Sequence, residues 1–166
     1  VLAAGFYMTD TYDALGGPKN WTDEELIFSA LHHDLGNVGD LNDEYYVPQD
    51  NDWRRKTLGE VYTSNTNIPN MRVPDRALFL LQHFGVKCNI NETLAIKLAD
   101  GLYDDASQYY LKVYDSSRSL KNHLPYIIHW ADHMATTVEY DEWKRGDVDE
   151  KEERSEEHTS ELQSQA

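Results

Sequence analysis

The chain has 166 residues, 40% hydrophobic and 27% charged, which suits one globular domain and leaves no room for two comfortable ones. Its net charge of −15 repels phosphate backbones and speaks against a broad nucleic-acid groove, but it admits a small anionic substrate if a bound cation supplies local positive charge. No apolar run approaches the roughly 20 residues of a membrane span, VLAAGFYMTD shows no signal peptide, and the single cysteine, Cys88, excludes an internal disulfide and a cysteine-cage zinc site, so a cytoplasmic setting is expected.

Leu2, Ala3, Phe6, Tyr7 and Ala14 predict the tail of an amphipathic helix, stopped by Gly16-Gly17-Pro18. Thr22 with Glu25 makes a capping box. Behind it Leu26, Ile27, Ala30 and Leu31 mark one face of a second helix, with Gly36 as its left-handed C-cap. Residues 37–70 are rich in Asn, Asp, Gly and Pro. They predict a long loop with a short strand near Gly59 to Tyr62, a length unusual unless the loop is functional. Pro74 suits a first helical turn, followed by Leu78, Phe79, Leu81 and Phe84, with Gly85 as the stop. Asn91 is expected to cap the next helix, with Leu94, Ala95 and Leu98 facing inward. Residues 101–117 look irregular and Tyr-rich (Tyr103, Tyr109, Tyr110, Tyr114).

The longest helix is predicted from about Ser119 to Trp143, with Pro125 as its effective start or a kink. Helix follows helix without alternating strands, so the expected fold class is all-α, a single helical bundle over residues 1–145. Residues 146–166 form a charged tail. Within it, RSEEHTSELQS (154–164) resembles the translation of a sequencing adapter, and Val1 falls in mid-helix, so the domain is expected to be incomplete at its N-terminus. Leaving out residues 154–166 removes one Arg and three Glu; the net charge is still −13.

Some polar groups stand where apolar ones would serve. In the last helix Leu124, Ile128, Ala131 and Ala135 follow three- and four-residue steps, and Asp132 lies on or beside that stripe. An unpaired carboxylate there is costly, and its near neighbours are His129, Trp130 and His133 rather than Lys or Arg. A proton, a basic partner or a cation resolves the cost. In the second helix the apolar step brings Asp34 to the buried face, with His33 beside it. His33, Asp34 and Asp132 are therefore candidate ligands of a divalent ion: imidazole with carboxylates suits Mn²⁺, Fe²⁺, Co²⁺, Zn²⁺ or Mg²⁺, and facing helices are a common seat for such ions. The structural alternative is that the His-Asp pair only caps its helix.

HHDLG after an apolar helix, joined to ADHMA about a hundred residues later, resembles the HD superfamily of metal-dependent phosphohydrolases. The resemblance runs from about Phe6 to Trp143, and IPNMRVPDRALFLLQHFGV is similar to small HD proteins common in phage and metagenomic sequences. It implies an all-helical HD-type bundle that hydrolyses phosphate esters, with His33 and Asp34 as metal ligands and Asp132 as the late ligand. The family's early His has no counterpart before His32 and is expected upstream of Val1.

Other positions depart from the family pattern. Many members carry Lys where Asn37 stands; Arg54, Arg55 and Lys56 are candidates to supply that phosphate-contacting charge. Some relatives have His where AIKLADG offers Ala99-Asp100. That favours one metal ion, with Asp100 as a helix-ending carboxylate rather than a substitute ligand. In some nucleotidase relatives a loop acid assists, which nominates Asp40 as the catalytic acid/base, with Asp43 and Glu60 as rivals. Loop acids are also commonly just solvated. His32, His129 and His133 are expected beside the site or at the surface, and His83 and His123 carry no motif. Trp53, Tyr62, Tyr109 and Tyr110 either stack on a nucleobase or pin loops to the core.

The expected function is hydrolysis of a small phosphorylated metabolite, a nucleotide or deoxynucleotide first. One rival is a degenerate HD module that binds a nucleotide or protein partner without turnover, as Asn37 and Ala99 would suggest. Another is a helical DNA-associated accessory protein, which the net charge disfavours.

Overall fold

Helix α1 (Leu2–Ala14) lies against α2 (Asp23–His32) and the long α6 (Leu124–Lys144) in the computed structural model of the protein, which describes residues 1–113 and 115–145. Between α2 and α6 come a 3-10 turn (Leu35–Val38), strands β1 (Tyr46–Pro48) and β2 (Tyr62–Ser64), then α3 (Val73–His83), α4 (Ile90–Lys97) and α5 (Asp105–Leu111). The class is all-α. The strands form one antiparallel hairpin, with Tyr46 opposite Ser64. Among the described residues no helix is long and apolar enough to cross a membrane. Tyr114 and the 146–166 tail with its adapter-like stretch lie outside the described residues.

The core sits where α1, α2, α4 and α6 meet. Leu26 and Ala30, Ala95 and Ala99, and Leu124, Ile127 and Ile128 are buried together, with Phe6 and Tyr12 packed against them. On α4, Ile96 joins Ala77 and Leu81 of α3 in a second cluster. Full burial of one such Leu or Ile is worth about 1.5–3 kcal/mol. Packing on two sides, not propensity, therefore holds α4, which has only eight residues.

The helix starts follow local chemistry. Thr22 accepts the Glu25 amide at 3.2 Å while its own amide donates to Glu25 at 2.9 Å, as predicted. In α4 the cap is Asn89 and not Asn91. Asn89 accepts the Glu92 amide at 3.0 Å and donates its own amide back at 2.7 Å. Glu92 stands three residues after Asn89 and closes the box, whereas Leu94 stands after Asn91. Asn91 instead donates to Glu25 at 2.9 Å and ties α4 to the start of α2. Residues 101–117 are less irregular than expected, because Asp104 caps α5 by accepting the Ser107 amide at 2.9 Å. Helix α6 begins at Leu124, later than Ser119, with Pro125 in its first turn, where a missing N–H costs nothing.

Several inward faces differ from expectation. Tyr7, Ile27, Leu31, Phe79 and Phe84 are exposed. The buried stripe of α2 is Leu26, Ser29 and Ala30, and it runs on to His33. Gly36 is not a left-handed cap, for its φ is not positive. It is glycine because a Cβ there would overlap the carbonyl of Val73, so the 35–38 turn packs directly on the first turn of α3. Buried Arg76 reinforces the joint. It donates to the carbonyls of Gly36 (3.0 Å), Met71 (3.1 Å) and Pro69 (3.3 Å), and its guanidinium lies over the Tyr45 ring.

Candidate metal centre

His33 continues the buried stripe of α2 and is 7% exposed at its side chain, while Asp34 beside it is 59% exposed. The expectation had them reversed: the imidazole occupies the core face and the carboxylate the edge. The reason is register, since three- and four-residue steps from Leu26 through Ala30 arrive at His33. Asp132 comes from α6, four residues after Ile128, and is 29% exposed at its side chain.

These three side chains meet. Each offers a ligand atom, and the three atoms lie within 4.8 Å of one another. His33 Nε2 is 3.3 Å from Asp132 Oδ1 and 3.7 Å from Asp34 Oδ2. Its Nδ1 lies 3.0 Å from the Ala30 carbonyl, which can only accept, so Nδ1 carries the proton. Nε2 therefore faces two carboxylates and needs a proton or a cation between. Burial pulls the His33 pKa down, but the hydrogen bond to Asp132 and the charges of Asp34 and Asp132 outweigh it and raise it above the ordinary histidine value. An imidazole nitrogen with two carboxylate oxygens fits a first-row or harder divalent ion, and the Ala30 carbonyl orients the ring as the outer partner of such a ligand does.

Asp132 also lines a cavity of about 410 Å³, together with Arg72, Asp100, Asp104, His129 and His133. His129 is buried and donates from Nδ1 to the Ala99 carbonyl at 3.1 Å. Gly101 lets the chain pass this ring, since its φ is +55° and a Cβ would overlap the imidazole. His133 is exposed, with the Tyr103 hydroxyl 3.4 Å from its ring nitrogens. Asp100 has its pKa raised by loss of solvent and then by the charges of Asp104, Asp34 and Asp132.

Other nominated residues are elsewhere. Asp40 lines a separate cavity with Arg76 and Phe79, and its Oδ1 accepts the amides of Asn42 (2.8 Å) and Asp43 (2.9 Å). Those bonds hold its pKa below the usual carboxylate value, the opposite of what a proton carrier needs. The structure therefore does not bring Asp40 to the cluster. Glu60 pairs with Arg54 at 2.9 Å, and Arg55 pairs with Asp52. His32 is bonded at 2.7 Å to the Phe28 carbonyl of its own helix, His83 packs on Phe79 and Phe84, and His123 bonds Tyr12 at 2.6 Å. Trp53, Tyr62, Tyr109 and Tyr110 are exposed and none lines the cavity beside Asp132; the aromatic ring there is Tyr103.

No family model, curated protein or solved structure matches the chain.

Proposed function

We propose that the chain is a metal-dependent phosphohydrolase of the HD type, acting on a small phosphorylated metabolite, with a nucleotide or deoxynucleotide as first candidate. The observation that supports it is the meeting of His33, Asp34 and Asp132 from two distant segments, with Asp132 also in the wall of a substrate-sized cavity. His33, Asp34 and Asp132 would hold a divalent ion, which would supply Lewis-acid activation of water and of a phosphoryl oxygen. The chain's own residues do the rest. The Ala30 carbonyl holds the His33 ring with Nε2 toward the carboxylates. Asp34 and Asp132 balance the charge of the ion. Asp100 lines the same cavity wall as Asp132 and is the acid there that takes the assisting role the sequence had given to Asp40.

The second reading is a module that binds a nucleotide or protein partner without turnover. Ala99 favours it, since it stands where some HD proteins have a histidine and its side chain offers no ligand atom. Metal analysis with a nucleotide panel separates the two. Stoichiometric Mn²⁺, Fe²⁺ or Co²⁺ that disappears in Asp34→Ala, with phosphate released from a nucleotide, is the expected result. Nucleotide binding without turnover under any of these metals would turn the assignment to the second reading.

A further inference from the structure

We propose that Arg72 is the residue that grips the phosphoryl group in this cavity, and that Asp104 positions it. The proposal rests on the phosphohydrolase reading and supplies what that reading lacks, a side chain that attracts the anionic substrate. The cavity is walled by Asp100, Asp104 and Asp132. A phosphate ester entering it faces these carboxylates, so affinity gains from a positive pole besides the metal centre. Among the described residues that line the cavity, Arg72 is the only Lys or Arg. Arg54 and Arg55 are spent on Glu60 and Asp52 and do not line it.

Arg72 is held from two sides. Asp104 engages its Nη1 at 2.8 Å through Oδ1 and 3.0 Å through Oδ2. Asp104 Oδ2 is itself fixed by the Ser107 amide at 2.9 Å and the Ser107 hydroxyl at 2.8 Å, so the carboxylate cannot swing away. A guanidinium has five N–H donors in a planar fork, and with Nη1 turned to Asp104 the Nη2 and Nε edge suits two oxygens of one phosphate. On the backbone side, Arg72 directly precedes Val73, whose carbonyl abuts Gly36, two residues after Asp34. One backbone contact thus sets the spacing between the cluster and the guanidinium. The Arg72 end of this pair is half exposed, so the ion pair by itself, apart from the Ser107 bonds, adds little to stability. Its position in this wall is better explained by what enters the cavity.

The test is calorimetric titration of inorganic phosphate into the Mn²⁺-loaded full chain, with Mn²⁺ uptake measured separately. Arg72→Gln is expected to weaken phosphate binding by about 10- to 100-fold, the worth of a charged hydrogen-bonded pair, with Mn²⁺ affinity changed by no more than about twofold. Arg72→Lys restores part of the loss. Asp104→Asn weakens phosphate binding alone but adds little in the Arg72→Gln background, because it acts through Arg72. If Arg72→Gln unfolds the chain, the Lys and Asn variants decide the matter, since each keeps the size of its side chain. Phosphate affinity that is unchanged in these variants overturns the proposal and leaves the metal centre standing. So does a parental chain that takes up Mn²⁺ but binds no phosphate. A parental chain that takes up no Mn²⁺ overturns the centre and the proposal with it.

Discussion

At the scale of single residues, the centre depends on glycines as much as on its ligands. Gly36 has no Cβ because the Val73 carbonyl occupies that space. Gly36→Ala must push α3 away from the turn that follows Asp34, and overpacking of this kind costs typically about 1–3 kcal/mol. The expected outcome is a lower melting temperature together with weaker Mn²⁺ uptake. A control change at the exposed Val38, Val38→Ala, should move neither. The three residues that meet were legible in the sequence, because polar residues stand on or beside two apolar stripes and the HHDLG and ADHMA segments resemble a metal-binding family. What was not legible is which of His33 and Asp34 is the buried one. That depends on whether Leu26–Ala30 or Ile27–Leu31 faces the core, and both pairs are apolar at the same spacing. Only packing against α4 and α6 decides between them.

At the scale of elements, caps and ties between helix ends shape the cavity. Asn89→Ala is expected to cost about 1 kcal/mol through the lost cap. Asn91→Ala should cost less, because Asn89 also donates to Glu25 at 2.9 Å and keeps that tie. Chemical denaturation of the two variants checks the order. Asp104 gives a pH-dependent counterpart. Its burial alone would raise its pKa, but Ser107 and the Arg72 guanidinium together hold it below the usual carboxylate value. A lowered carboxylate pKa stabilises the fold above the unfolded value of about 4 and loses that contribution as pH falls through the folded value. Asp104→Asn should therefore be less stable than the parental chain at pH 7, with the gap closing on acidification below about pH 4. Urea midpoints at stepped pH measure it. Elements with a strong period or a capping box were visible in the sequence. Helix α5 was not, for its seven residues contain too few apolar positions to display a period. Of the hairpin only a strand near Gly59 to Tyr62 was expected, and β2 overlaps it at Tyr62 alone; its partner β1 lies across a long connection.

At the scale of the whole molecule, the bundle brings α2 and α6 together over a sequence distance that leaves no local trace, and the cavity wall adds residues from two more segments, 72–73 and 99–104. Arg72 and Asp104 meet across 32 positions. Neither belongs to a periodic pattern, and although Arg72 falls within the IPNMRVPDRALFLLQHFGV stretch, nothing in that stretch singles it out. Because the ligand groups converge only in the folded chain, an ion bound there stabilises the fold by linkage. At a free concentration of 100 times its dissociation constant the gain is about 2.7 kcal/mol. For a domain of this size that corresponds to about 5–11 °C in melting temperature. Thermal denaturation with Mn²⁺ and with chelator should differ by this much in the parental chain and by nothing in Asp132→Asn.

The excursion between the Gly36 joint and the start of α3 has a practical use. Arg76 fastens it at its root, and residues 50–59 at its outer end are all exposed. A fluorophore, an affinity peptide or an immobilising linker spliced into that tip is expected to leave ion uptake as it was, which makes the tip a natural handle for fixing the protein to a sensor.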